Sequence, residues 1–283
     1  MPDNTHIEDE SHPSQNGELD LPAETFRNGE KTNTVVLKIP RARDGFVSQN
    51  KTVTYSEING LAILEGDILL GTVEEMEQAK QGIVPKGITI DGDNFRWGTK
   101  VSGRITSVTI PYVTIPSLEQ TVTQAIAHWE HHSPIRFKKR VSEPDFISFE
   151  ALDGCFSRLG KVGGRQQISL GGGCGLGAAI HEIGHALGLF HEQCREDRDQ
   201  HVVIMEDNII SNAKHNFFKH ILDATDQGDY DFGSIMHYSA KAFSKNGKDT
   251  IRTKGGQSIG QRNGLSSGDI AAVRKIYPDL NWA

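Results

Sequence analysis

The stretch AAIHEIGHALGLFHEQCRED, Ala178 to Asp197, places histidine at 181, 185 and 191, glutamate at 182 and 192, and glycine at 184 and 188. On a helix, His181 and His185 stand one above the other on one face, so their imidazoles can share one metal ion. Glu182 lies on a neighbouring edge of the same turn. Gly188 can take the left-handed conformation that ends a helix, which lets the chain swing round and return His191 toward the same point. Zinc takes neutral imidazoles at tetrahedral positions, and three protein ligands leave a fourth position for water, as in a catalytic site. Such an ion lowers the pKa of water to about 7 and polarises a carbonyl, while Glu182 can take the water proton and pass it to a leaving amine. The expected chemistry is peptide hydrolysis without a covalent intermediate. One Zn2+ is expected to be held by His181, His185 and His191, with Glu182 as the general base.

The rest of the chain narrows the partners. A formal net charge of -7 over 283 residues, with both signs interspersed, gives no basic patch for nucleic acid and no polybasic segment for an anionic membrane. No apolar run approaches the roughly 18 to 20 residues of a membrane span. The N-terminus, MPDNTHIEDESHPSQNGELD, has neither the basic start nor the apolar stretch of a signal peptide. Either the protein stays inside the cell or its leader lies outside this sequence. Cys155, Cys174 and Cys194 all fall in the second half. Cys155 and Cys174 bracket a glycine-rich excursion and an apolar strand, which suits either a loop-closing disulfide or two unrelated reduced thiols.

The elements that must position the cluster follow from periodicity. Residues 1 to about 33 are polar and acidic and are expected to be a disordered lead-in. TNTVVLKIP reads as a strand, YSEINGLAILEGDILLG as an apolar patch and TVEEMEQAKQG as a short helix, together a small accessory segment. VPKGITIDGDNFRWG, rich in turn residues, is the expected linker. Beyond it SVTIPYVTI reads as a strand. Leu118, Val122, Ala125, Ile126 and Trp129 then form a helical stripe with Ser117 as its cap. PIRFKK, PDFISFEAL and QQISLGG read as strands, the histidine helix follows, and SSGDIAAVRKIYP closes the chain as a helix. Strands followed by a ligand-bearing helix indicate an α+β layout.

At these residues the sequence resembles the metzincin metallopeptidases, and within them the astacin family. His191 is followed directly by Glu192 and then by REDRDQHVVIMEDNI, and SIMHYS, Ser234 to Ser239, is similar to the family's Met-turn. The resemblance covers about residues 97 to 278, including TIPYVTI and GGRQQISL. It implies a two-lobed metzincin-type zinc peptidase domain with a twisted mixed sheet and an active-site helix, preceded by a small prosegment. The implied segments are 1–33 lead-in, 34–90 inhibitory prosegment and linker, and 91–283 catalytic domain. Met236 would form an apolar floor under the metal, and Tyr238 a swinging ligand whose hydroxyl stabilises the tetrahedral intermediate. Protein or peptide substrates would lie extended along an edge strand, matched here by DFISFEAL, Asp145 to Leu152. Cys155 and Cys174 match one family disulfide, which implies a secreted or extracellular protein.

The family's second disulfide has no counterpart, since Pro134 precedes IRF and YPDLNWA lacks cysteine, so the closing helix is expected to be held by packing alone. Cys194 has no obvious family counterpart and is expected to be a free, half-buried thiol. Family prosegments carry an aromatic residue, any residue, Gly and Asp, and the aspartate binds the zinc in place of water. LEGD, Leu64 to Asp67, resembles this with leucine for the aromatic. No cysteine precedes residue 155, so a thiolate latch is impossible, whereas Asp67 offers an oxygen ligand and Gly66 a close approach. The other reading of LEGD is a plain turn between LAIL and DILLG. With Asp67 as latch, the prosegment is expected to be the protein's own inhibitor, with activity released by cleavage between about Lys80 and Arg96, and the resemblance implies that the new N-terminus settles in a buried pocket near Glu192. A different class of function, a non-catalytic zinc-dependent peptide-binding module, would be marked by loss of Glu182, Tyr238 or a ligand. All are present.

Overall fold

The computed structural model describes residues 29, 31–40, 48–80, 95–219 and 226–282. Most of the expected lead-in and linker, and the expected activation cleavage apart from its two ends, lie outside the described residues. In chain order the first elements are β1 (Lys31–Pro40), β2 (Ser48–Ile58), β3 (Leu61–Leu64), β4 (Ile68–Thr72) and α1 (Val73–Lys80). Then come β5 (Thr99–Val101), β6 (Arg104–Ser107), β7 (Thr109–Thr114), α2 (Glu119–His132), β8 (Arg136–Lys139) and β9 (Phe146–Glu150). The remainder are β10 (Cys155–Ser157), β11 (Arg165–Leu170), α3 (Leu176–Leu187), β12 (Val202–Ile204), β13 (Ile251–Thr253) and α4 (Ser267–Ile276).

Among the described residues, nine strands form one mixed sheet in the order β1-β2-β3-β4-β10-β11-β9-β7-β8. The expected α+β class holds, but the accessory segment is more than a small appendage: its four strands extend the sheet of the downstream domain. They also have a core of their own. Val35, Val53, Tyr55, Leu64, Ile68, Leu70 and Met76 cluster on one face and reach the rest of the protein through Leu159, Phe95 and Phe190. Ile63 and Leu69 point to the other face and pack on Phe156, as the period of two along a strand requires.

The strand read as the substrate edge is corrected by the topology. β9 lies between β11 and β7 and pairs in parallel with both. Its residues Ile147, Ser148 and Phe149 are all buried, the mark of a strand covered on both faces rather than exposed at an edge. The strand that borders the N-terminal segment is β10, too short and too close to the glycine-rich excursion to stand out in the sequence. It pairs in parallel with β4 through Ser157 and Ile68, and the Ser157 amide donates to the Asp67 carbonyl at 2.9 Å.

α2 buries Val122, Ala125, Ile126 and Trp129 as its stripe demands, and the Trp129 indole donates to the Ile180 carbonyl of α3 at 3.0 Å. Ser117 is not its cap: a 3-10 turn over Pro116–Leu118 leads into the helix, and no side chain caps it. α4 is held by more than packing. Ser266 and Asp269 form a capping box, and the Asp269 carboxylate also accepts from Ser234 Oγ at 2.6 Å and from the Ile235 amide at 2.9 Å. The helix N-terminus thereby fixes the turn that carries Met236 and Tyr238.

α3 is buried along almost its whole length. It ends where Gly188 adopts φ 111°, with the Leu189 amide donating back to Gly184 and the chain reversing toward His191. Near its start, a Cβ on Gly177 would lie 2.0 Å from the Arg262 carbonyl oxygen. Alanine is favoured over glycine by about 1 kcal/mol in an open helix. Here the clash reverses the sign, and Gly177→Ala is expected to cost about 1–3 kcal/mol, read as a lower denaturant midpoint.

Candidate active site

His181 and His185 face one point from α3, and His191 reaches it after the Gly188 reversal. The three rings lie 4.7 to 5.3 Å apart between centroids, and all are buried. Their outer nitrogens are tied: His181 Nδ1 donates to the Ile235 carbonyl at 2.8 Å and His185 Nδ1 to the Leu189 carbonyl at 2.7 Å, while His191 Nδ1 lies 3.0 Å from Glu65 Oε2. A carbonyl only accepts, so the proton of His181 and of His185 sits on Nδ1 and the Nε2 lone pair points inward.

The carboxylate of Asp67 stands among those lone pairs. Its Oδ2 is 3.2 Å from His181 Nε2 and His191 Nε2, and its Oδ1 is 3.2 Å from His185 Nε2. One donor atom from each of the four residues lies within 4.8 Å of the others. Acceptors facing acceptors at this distance in a buried site are reconciled by a positive charge among them, either a proton on an imidazole or a metal ion. Three imidazoles and a carboxylate are a donor set that zinc takes, so the residues fit the ion the sequence implies.

Asp67 lies in the three-residue turn Glu65–Gly66–Asp67 between β3 and β4, with φ 48° at Glu65 and 82° at Gly66. The segment is a hairpin turn, and that turn carries Asp67 into the histidine cluster. Electrostatics separates the two central carboxylates. Burial raises Asp67, but the imidazoles of His191, His185 and His181 outweigh it and hold the group well below the ordinary range. Burial, then the Asp67 charge, pushes Glu182 well above its ordinary value. Burial and Arg262 push His181 down to about 3. Burial also lowers His191, and the Asp67 and Glu65 carboxylates more than reverse it, up to about 9.

The other expected residues surround this centre. Met236 is buried beneath α3, its Sδ 2.8 Å from where a Cβ on Gly184 would stand. The Tyr238 ring lies 4.7 Å from that of His191, and its hydroxyl donates to the Glu65 carbonyl. Glu192 turns away from the cluster. It accepts from the Asp231 amide at 2.7 Å and lies 3.5 Å from Arg195, and burial pushes it up to about 7. Cys155 and Cys174 are bridged, fastening β10 to the start of α3, which carries the ligands. Cys194 is free but fully buried rather than half-buried. His237 bonds Tyr230 and the Tyr238 carbonyl and stays out of the cluster.

Three residues escaped the sequence reading. Asp269 was legible as a cap, from its spacing to Ser266, but not as the anchor of the 234–239 turn. Gln193 accepts from the Tyr238 amide at 2.9 Å. Glu65, fully buried, faces His191. No spacing rule marks the last two, because each partner is distant in sequence or reached only through the backbone reversal.

The chain matches known proteins in sequence and in fold. The Astacin peptidase family matches residues 100–278. Protein SpAN of Strongylocentrotus purpuratus is 33% identical over 278 residues, covering 91% of this chain and 43% of that protein. Blastula protease 10 of Paracentrotus lividus is 37% identical over 237 residues, covering 75% of this chain and 38% of the relative. The chain thus spans less than half the length of these two sea urchin relatives. Among solved structures, High choriolytic enzyme 1, a hatching enzyme zinc-protease from Oryzias latipes, superposes with a TM-score of 0.60 at 39% identity, over 66% of this chain and 96% of that one. On its sequence and on the histidine helix that its fold delivers to a buried metal-binding cluster, the chain belongs to the astacin family of zinc metallopeptidases.

Proposed function

We propose that the protein is a zinc-dependent endopeptidase held latent by residues 34–90 acting as an inhibitory prosegment. The observation that carries this reading is the Asp67 carboxylate among His181, His185 and His191, with donor atoms within 4.8 Å of one another. A zinc ion bound there supplies Lewis acidity, activating a water and polarising the scissile carbonyl. Glu182, buried beside the cluster, takes the proton of the attacking water and delivers it to the departing amine. The Tyr238 hydroxyl, which the Glu65 carbonyl holds in this form, is freed with the turn and donates to the oxyanion. β4 occupies the border of β10, so its removal opens that strand to an extended substrate. Cleavage between about Lys80 and Arg96 releases the segment, and the new N-terminus settles against the buried carboxylate of Glu192. The Cys155–Cys174 bridge favours a secreted or extracellular setting.

The reading is tested by metal analysis and by digestion of a denatured protein substrate before and after limited proteolysis within 81–94. One zinc per chain throughout, with hydrolysis only after cleavage, is expected. A zinc-loaded, cleaved protein that binds peptides without hydrolysing them would favour the binding module instead. In the processed enzyme, Tyr238→Phe is expected to lower kcat about 10- to 1,000-fold with little change in KM, since the lost hydroxyl acts on the transition state. An effect confined to KM would remove that role.

A further inference from the structure

We propose that Glu65 is a positioning residue of the metal centre: its carboxylate completes, from the N-terminal segment, the hydrogen-bond shell of the third histidine, His191. This rests on the reading of the three histidines as zinc ligands.

Two ligands are oriented by their own surroundings. His181 Nδ1 donates to the Ile235 carbonyl and His185 Nδ1 to the Leu189 carbonyl, both in residues downstream of 94. His191 differs. Its Nδ1 lies 3.0 Å from a carboxylate oxygen, and that oxygen belongs to the turn between β3 and β4. When Nε2 binds a cation, Nδ1 carries a proton, and the contact becomes a charge-assisted hydrogen bond to Glu65.

Two further features show that this side chain, and not the turn alone, selects the residue. Glu65 holds φ 48°, in the left-handed region that glycine and asparagine enter more readily, so a turn needing only its backbone shape would not favour glutamate. The side chain is also fully buried, where a carboxyl group needs hydrogen-bond partners, and His191 Nδ1 lies 3.0 Å from its Oε2. The turn therefore grips the centre at two places, with Asp67 on the metal side of the ligands and Glu65 behind the third one. A carboxylate behind a ligating imidazole raises its basicity, and loss of such a partner costs about 10- to 100-fold in metal affinity. The zinc is accordingly held more tightly before the segment is removed than after.

The test uses the full zinc-loaded chain with 15N-labelled histidine, compared with Glu65→Gln and Glu65→Ala. The imidazole N–H protons of the three ligands give three resonances. Removing the carboxylate charge should move the His191 resonance and leave the His181 and His185 resonances in place. Zinc release to a chelator should accelerate about 10-fold or more in Glu65→Ala although Asp67 remains. Three resonances that stay put, three that move together, or an unchanged release rate would each overturn the proposal. Failure of the underlying reading looks different: the unaltered chain would then bind no zinc and show no metal-dependent resonances.

Discussion

Glu182→Ala should bind one zinc as firmly as the unaltered protein and yet, once its N-terminal segment is removed, hydrolyse protein at a rate lower by about 100- to 10,000-fold. The two halves of that expectation have separate causes. The imidazoles that form the cluster are oriented by contacts Glu182 does not make: the carbonyls of Ile235 and Leu189 and, until the N-terminal segment leaves, the side chain of Glu65. Truncating Glu182 leaves each intact. The proton acceptor disappears, however, and the described residues offer no other carboxylate in the cluster once Asp67 has left with its segment. Zinc analysis beside a turnover measurement on the same preparation checks both halves. Near-stoichiometric zinc with unchanged turnover would remove Glu182 from the chemistry, and loss of zinc would make it a structural support for the ligands instead.

The site was more legible in the sequence than the sheet around it, for physical reasons. His181, His185 and Gly188 announce themselves because helical spacing and a left-handed helix end are local properties, fixed within a dozen residues. Met236 and Tyr238 could be placed near the histidine cluster only by resemblance, because what holds them there is non-local: Asp269 accepts from the Ser234 hydroxyl and the Ile235 amide, and Gln193 holds the Tyr238 amide. The position of β9 was misread because strand order depends on pairing between distant segments. The membership of residues 31–72 in the same sheet was hidden for the same reason, since a single backbone bridge, Ser157 to Ile68, joins β4 to β10.

Asp67→Ala should turn a silent full-length protein into one that is partly active or quickly processes itself. In the unaltered chain the aspartate is almost wholly buried, its oxygens 3.2 Å from three imidazole nitrogens, and under the proposed latch it would fill the position a catalytic water needs. Alanine has no oxygen to offer, so water can enter beside Glu182. Activity is expected to be partial because the rest of the turn keeps its hold: β4 still borders β10, the Glu65 carbonyl still accepts from Tyr238, and the Glu65 carboxylate still faces His191. Substrate must compete with that segment for the strand edge, whereas water need not. The experiment therefore runs on two backgrounds. With Glu182→Ala also present, no self-cleavage confuses the metal site, and zinc occupancy and its rate of loss to a chelator show what Asp67 contributes as a ligand. With Glu182 intact, electrophoresis follows the appearance of a shortened chain, and cleavage of a protein substrate follows activity. A rise in both, abolished by Glu182→Ala, is the expected result. If Asp67→Ala with Glu182 intact stays uncut and as silent as the unaltered chain, the aspartate is not the latch, and the block must lie in the strand pairing of β4 and the grip of Glu65.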